Sequence, residues 1–322
     1  MPSKSLKWKV NALVILIILG AWGLQGCRKR KVIKGIYVVT TTGMLADATR
    51  NIGKNLIKVK GLIGSGIDPH AYKASTSDTR DLARADLIIY NGLHLEGKMQ
   101  DILKKMAKGK PVVAASERIK KDKLIKPEGV KDVYDPHIWF DVSLWQSAVE
   151  RIRDALIKLD PKRKAAYQKN AKAYLDKLVK LHKWTKTELS KIKQDKRYLV
   201  TSHDAFGYFG KAYGLKVIGL QGISTVTKAG VKDKERVIGL ITKNGINAIF
   251  TETSVATGPI KSVIEDCKAK KHTIFLGGHL FSDAMGEEGT KEGTYIGMIQ
   301  HNVKTISHAL IQGKPLKKSK AQ

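Results

Sequence analysis

"DPKRKAAYQKNAKAYLDKLVKLHKWTKTELSKIKQDK", residues 160 to 196, contains no glycine and predicts one long helix. Asp160 and Pro161 suit the start of a helix. Apolar residues then recur at helical spacing: Tyr167, Ala171, Tyr174, Leu175, Leu178, Leu181, Leu189 and Ile192. A helix over 161–196 would span about 50 Å and would hold the segments on its two sides at a nearly fixed separation. The alternative is two shorter helices with a break near Lys183 to Lys186.

The segments on either side of this helix share one rhythm. Before it, β-rich runs at 36–41, 57–62, 86–91 and 111–115 alternate with helical patterns at 43–53, 77–85, 96–108 and 142–159. After it, runs at 198–202, 215–220, 246–252 and 272–277 alternate with helical patterns at 204–213, 232–244, 258–270 and 293–313. Alternating strands and helices indicate parallel sheets covered on both faces. We therefore predict an α/β fold with two lobes, 36–160 and 197–322, joined by a rigid helix over 161–196.

The tripeptide Asp-Pro-His occurs twice, at 68–70 and at 135–137. Proline fixes its own φ and disfavours helix for the residue before it, so each copy predicts a stiff turn that aims His70 or His137 in one direction. Chance is the alternative, because Asp-Pro is a common turn opener.

Polar residues lie after strands in both lobes, where open α/β sheets bind their ligands. His70 and His137 come from the first lobe, and His203 and Asp283 come from the second. These side chains converge on one cleft if the lobes face each other. Three imidazoles and one carboxylate suit zinc and tolerate manganese or iron. Any one of these histidines alone would more often be an ordinary hydrogen-bonded residue.

Six segments carry a resemblance that is more specific than any single motif. They are "VVTTTGMLADATRNI", "DPHAY", "ARADLIIYNGLHLE", "DPHIWFDVSLW", "TSHDAFGYFGKAYGLKVIGLQGIST" and "FSDAMGEEGTKEGTYIGMIQHN". Together they resemble the metal-binding lipoproteins of bacterial manganese and zinc ABC importers, most closely the TroA-like members, over nearly all of 36–312. The resemblance implies two (βα)4-type lobes and one zinc or manganese ion between them, held by His70, His137, His203 and Asp283. It also implies a monomer that delivers the ion to an ABC permease.

The resemblance leaves the ion open. Manganese-preferring members tend to have a glutamate where this chain has His203, which favours zinc. Zinc specialists carry a His-rich acidic loop near 117–133, whereas this chain has "ERIKKDKLIKPEGVKDV" there, without a histidine. Glu252 is a candidate acceptor that orients a ligand imidazole without touching the ion, or a helix cap. His279 stands where relatives have an acidic residue, and is either an outer neighbour of the ion or a substitute ligand.

Two other functions are compatible with this sequence. A zinc hydrolase would need an open coordination position and a base such as Glu252, but four protein ligands leave little room and no HExxH motif is present. We therefore expect no enzyme activity. An adhesin-like surface lipoprotein would use the same fold.

The amino-terminal 27 residues, "MPSKSLKWKVNALVILIILGAWGLQGC", predict export. The apolar run from Ala12 to Leu24 is shorter than the ~20 residues of a membrane span, which favours a removable signal over residues 1–26. Cys27 follows a small residue, as in a bacterial lipobox, and is the predicted lipidation site. Residues 27–35 would form a basic tether, and the protein would face the periplasm or exterior. A plain signal or an uncleaved anchor is the alternative.

The formal net charge is +30. A cytoplasmic protein of this charge would suggest nucleic acid, but the signal argues against that partner. The lysines are spread over helix faces, which is typical of a solvated basic surface. An anionic membrane surface beside the lipid anchor is a secondary candidate partner.

Overall fold

The computed structural model describes residues 35–127 and 133–316. The predicted signal, Cys27 and the tether up to residue 34 lie outside the described residues. Within the described ranges, no helix combines the length and the apolar character that a bilayer crossing requires.

The first half is built on one parallel sheet. Its strands are β1 (Ile36–Thr40), β2 (Ile57–Gly61), β3 (Leu87–Tyr90) and β4 (Val112–Ala114), in the order β2-β1-β3-β4. Its helices are α1 (Gly43–Gly53), α2 (Thr76–Arg84), α3 (Gln100–Ala107) and α4 (Val142–Leu159). Because all four strands run the same way, their carboxyl ends meet at one edge of the sheet.

The second half repeats this plan. Strand β5 (Tyr198–His203) pairs in parallel with β6 (Lys216–Gln221), β7 (Ala248–Glu252) pairs in parallel with β8 (Phe275–Leu280), and β5 lies beside β7. The helices are α6 (Gly207–Tyr213), α7 (Val231–Lys243), α8 (Gly258–Ala269) and α9 (Tyr295–Gln312). The predicted α/β class with parallel sheets is confirmed. Strand β8 lies three residues later than predicted and ends at Leu280, so His279 lies inside the strand and not after it.

The two halves are joined by helix α5, Lys164–Ser190, which a short 3-10 turn at Pro161–Arg163 precedes. The helix is continuous through residues 183–186, so the prediction of one long helix is confirmed and the two-helix alternative is wrong. The α-helix ends at Ser190, short of the predicted 196, and its 27 residues span about 40 Å.

One hydrophobic cluster runs under α5 and through both halves. Helix α5 has a buried stripe on the side that faces this cluster, with one member every three or four residues, and all but Thr185 belong to the cluster: Tyr167, Ala171, Tyr174, Leu178, Leu181, Thr185 and Leu189. The same cluster contains Val38 of β1, Trp145 of α4, Phe209 of α6 and Tyr295 of α9. The Trp145 ring stacks on the Tyr295 ring at a centroid distance of 5.2 Å. The halves therefore share one core.

Polar contacts also fasten α5 to both sides. The Asp47 carboxylate on α1 accepts a hydrogen bond from the Tyr174 hydroxyl (2.9 Å) and another from the Tyr295 amide (3.2 Å). Farther along α5, Nδ1 of His182 lies 3.0 Å from the Tyr213 hydroxyl of α6. Relative motion of the halves would break these bonds and open the shared core.

We expect Leu178→Ala to lower the free energy of unfolding by about 3 kcal/mol, because it leaves a cavity in the shared core. The matched control is Val179→Ala on the same helix, where the side chain is 55% exposed and the change should stay within about 0.5 kcal/mol. Urea denaturation followed by circular dichroism measures both. Equal effects at 178 and 179 would contradict a core under α5.

Candidate metal centre

Four side chains predicted from strand ends come together between the halves: His70, His137, His203 and Asp283. One potential ligand atom from each lies within 4.8 Å of the others, and all four residues are buried. The structure thus gathers the predicted residues into one group. That these residues bind a metal stays a prediction.

The two Asp-Pro-His turns share one local construction. In the first, Oδ1 of Asp68 accepts a hydrogen bond from the backbone amide of His70 (2.8 Å). In the second, Oδ1 of Asp135 accepts one from the amide of His137 (2.9 Å). An aspartate that bonds the backbone two residues on closes a tight turn, and the intervening proline stiffens it. The aspartate of each motif therefore fixes the histidine behind it.

Buried carboxylates contact two of the imidazoles at Nδ1. Oδ1 of Asp135 lies 2.7 Å from Nδ1 of His137. His203 ends β5, where its amide donates to Oε1 of Glu252 (2.8 Å) and its Nδ1 contacts Oε2 of the same carboxylate. With Nδ1 engaged, Nε2 of each ring is the nitrogen that points into the group. Glu252 therefore holds the His203 ring through Nδ1, and Asp135 does the same for His137, a role that the sequence prediction missed although the motif itself contains Asp135.

The backbone before Asp283 is fastened on two sides. The Asn302 side chain of α9 bonds both the amide (2.9 Å) and the carbonyl (2.7 Å) of Phe281. From the first half, the Trp139 indole donates to the Ser282 carbonyl (3.1 Å). No sequence signal marked Asn302 or Trp139 for this role, because both act through the backbone of residues far away in the chain.

The spacing inside the group fits a bound cation. Nε2 of His203 lies 3.1 Å from Oδ2 of Asp283, and Nε2 of His137 lies 3.3 Å from Oδ1. Nε2 of His70 lies 3.3 Å from Nε2 of His137 and 3.6 Å from Oδ2 of Asp283. A tetrahedral zinc with ligands at 2.0–2.1 Å would place them about 3.3 Å apart.

Three atoms in this group lack a well-aligned hydrogen bond although they are buried: both oxygens of Asp283 and Nε2 of His203. Burying polar atoms without partners is costly. A cation coordinated at these atoms would remove that cost, so the donor set fits a metal ion.

Burial and neighbouring carboxylates give the three histidines very different pKa values. Burial lowers the pKa of His70 to about 4. Burial alone would also lower the pKa of His137, but Asp135 and Asp283 outweigh it and raise the pKa to about 9. Glu252 and Asp283 likewise overcome burial at His203 and raise its pKa well above the usual value. Although burial opposes it, the His203 and His137 imidazoles hold the pKa of Asp283 well below its usual range.

His279 lies apart from this group. Its side chain is exposed on β8, with Nδ1 2.7 Å from the Thr251 hydroxyl, and its carbonyl oxygen is 3.0 Å from Nε2 of His301. Among the described residues, the potential metal-holding group does not include it. The structure therefore gives no support to His279 as a substitute ligand.

Comparison with known proteins identifies the family. The family model described as "ZnuA: Zinc-uptake complex component A periplasmic" matches residues 38–309. The chain belongs to this ZnuA family. Manganese-binding lipoprotein MntA of Bacillus subtilis (strain 168) is 46% identical over 304 residues, which are 93% of this chain and 99% of the relative. Zinc-binding protein TroA of Treponema pallidum (strain Nichols) is 43% identical over 273 residues, which are 85% and 88% of the two chains.

A solved structure of a similar protein supports the fold and the resemblance. The periplasmic zinc binding protein TroA from Treponema pallidum is similar with a TM-score of 0.84 at 42% identity, over 85% of this chain and 99% of that chain. The resemblance noted in the sequence is thereby confirmed.

We expect zinc binding at pH 7 to release close to two protons. In the metal-free site His137 and His203 hold protons, because their pKa values are raised, whereas His70 does not. Coordination needs neutral imidazoles, so the apparent affinity should rise by up to about 100-fold per pH unit between pH 6 and 8. Calorimetric titration in buffers of different ionisation enthalpy counts the protons. Release of none would contradict this assignment.

Proposed function

We propose that the protein captures one divalent metal ion between its two halves, outside the cytoplasmic membrane, and delivers it to an ABC permease. The observation that carries the proposal is the buried group of His70, His137, His203 and Asp283, whose ligand atoms are spaced as a cation requires. The family description supports it, since the matching family model is that of a zinc-uptake complex component.

The ligand set favours zinc over manganese as the tighter ion in solution. Three imidazoles and one carboxylate at tetrahedral spacing suit zinc, and divalent zinc binds nitrogen-rich sites more tightly than manganese does. Relatives named for either ion exist, a manganese-binding lipoprotein and a zinc-binding protein. Both ions are therefore proposed cargo, and availability outside the cell decides between them.

The ion is cargo and not the cofactor of a hydrolase. Four protein ligands would fill a tetrahedral ion, leaving no position for an activated water. Glu252, the candidate base for such a reaction, accepts a hydrogen bond from the amide of His203 through one oxygen and contacts the imidazole of His203 through the other. A carboxylate engaged in this way orients a ligand. The relatives are named as transporter lipoproteins, which favours transport over the adhesin-like alternative.

The remaining parts of the chain fit a tethered capture protein. We propose that residues 1–26 are a signal, that Cys27 carries lipid and that residues 27–35 connect it to the halves 36–160 and 197–322, with 161–196 between them. The protein acts as a monomer, and its positive charge is a solvated surface that binds no nucleic acid.

Asp283→Asn should weaken zinc binding by at least about 100-fold, because it removes the only anionic ligand. Asp176→Asn, on the exposed face of α5, is the matched control and should bind as the unaltered protein does. Competition with a chromogenic chelator measures affinity, and elemental analysis should find one ion per chain.

The same pair of variants tests transport in a strain that lacks the gene. The unaltered gene and Asp176→Asn should restore zinc- or manganese-dependent uptake, and Asp283→Asn should not. Uptake that is unchanged by loss of the gene would overturn the transport proposal and leave adhesion as the function.

Cys27→Ser should move the protein from the membrane fraction to the soluble or secreted fraction, because the lipid would have no attachment site. Cys267→Ser is the control, since this second cysteine is buried in the second half. Immunoblots of fractionated cells decide between them. Retention of the Cys27→Ser protein in the membrane would indicate an uncleaved anchor.

A further inference from the structure

His70 differs from the other two imidazoles in how it is held. Asp135 and Glu252 bond the Nδ1 atoms of His137 and His203. Within the part of the chain that the structure describes, the Nδ1 atom of His70 has no such hydrogen bond. The direction of the His70 ring therefore depends on its backbone, and that backbone depends on the bond from its amide to Oδ1 of Asp68.

The other oxygen of Asp68 reaches across to the second half. The Thr225 hydroxyl donates a hydrogen bond to Oδ2 of Asp68. Thr225 lies in the loop after β6, whose last residue, Gln221, is paired with His203 at the end of β5. One carboxylate thus joins the turn that carries His70 to the neighbourhood of a ligand from the opposite half.

A second bond crosses nearby. The Ser65 hydroxyl donates to the carbonyl of Met285 (2.9 Å), two residues beyond Asp283. Between the two crossing points the chain turns at Gly66, whose φ of +70° is open to glycine at little cost. Residues 64–70 therefore form a strap from the first half that is bonded at two points to the second.

We propose that Thr225 is a positioning residue. Its hydrogen bond to Asp68 holds this strap against the second half and thereby sets the rate at which the ion leaves. The proposal rests on the proposed metal site. The shared core under α5 resists separation of the halves, so the ion escapes when the strap lifts and His70 turns away. The Thr225 bond must break for that motion, whereas the Asp68 bond to the His70 amide lies within the strap and can persist.

Loss of the Thr225 hydrogen bond should change the rate of zinc dissociation more than the stability of the fold. Thr225→Val keeps the shape of the side chain and removes its hydroxyl, and Thr225→Ser keeps the hydroxyl. Thr227→Val, at an exposed position in the same loop, is the control. Stopped-flow transfer of zinc from loaded protein to a chromogenic chelator gives the dissociation rate, and thermal melting of the metal-free protein reports any loss of fold.

We expect dissociation from Thr225→Val to be about 10-fold faster, as loss of a hydrogen bond to a charged group implies, with Thr225→Ser and Thr227→Val close to the unaltered protein. Equal dissociation rates for Thr225→Val and the unaltered protein would overturn the proposal. An equal increase in the rate for Thr227→Val would overturn it as well. An equal fall in the melting temperatures of the metal-free and the zinc-loaded Thr225→Val protein would also overturn it, because the substitution would then have weakened the fold as a whole. If the unaltered protein took up no zinc, the metal site itself would be wrong, which is a separate outcome.

Discussion

The carboxylate of Asp283 is the group on which the rest of the site depends. It is buried, it faces the three imidazoles, and neither of its oxygens has a well-aligned hydrogen bond. Removing a charge from water without a partner costs several kcal/mol, so this arrangement persists only where cationic imidazoles or a metal ion face it. Asp135 and Glu252 add two more buried carboxylates close by. The site is therefore built to hold positive charge.

A site of this kind needs a rigid scaffold that fixes the positions of its side chains. The four grouped side chains come from both halves, and a metal site would tolerate errors of only about 0.5 Å in their placement. The hydrophobic cluster that continues from β1 through α5 to α9 supplies this scaffold, and the Asp47 bonds to Tyr174 and Tyr295 reinforce it. The same continuity excludes wide separation of the halves as an easy motion, so changes at the site must be local.

Periodicity and strand ends were sufficient to predict most of the fold and the four grouped side chains, because both signals are local. The stripe in α5 follows helical spacing, and His203 and Asp283 lie at or just beyond strand ends. The end of β8 was misjudged because Gly277 and Gly278 looked like the end of a strand. Both are instead inside it, where a Cβ would collide with Phe250 or Thr305. The bond between Thr225 and Asp68 joins residues 157 positions apart, and no pattern in the sequence marks it.

The protons on His137 and His203 have an electrical consequence. The raised pKa values of His137 and His203 favour two imidazolium charges in the empty site at neutral pH, and a divalent ion brings the same two charges when it displaces the protons. The buried group therefore has the same net charge empty and loaded. A partner at about 8 Å or more, the Debye length at physiological ionic strength, would feel nearly the same screened field from both forms. A partner that distinguishes the proposed loaded form from the empty one at that distance would therefore read the shape of the surface over the site more than its net charge.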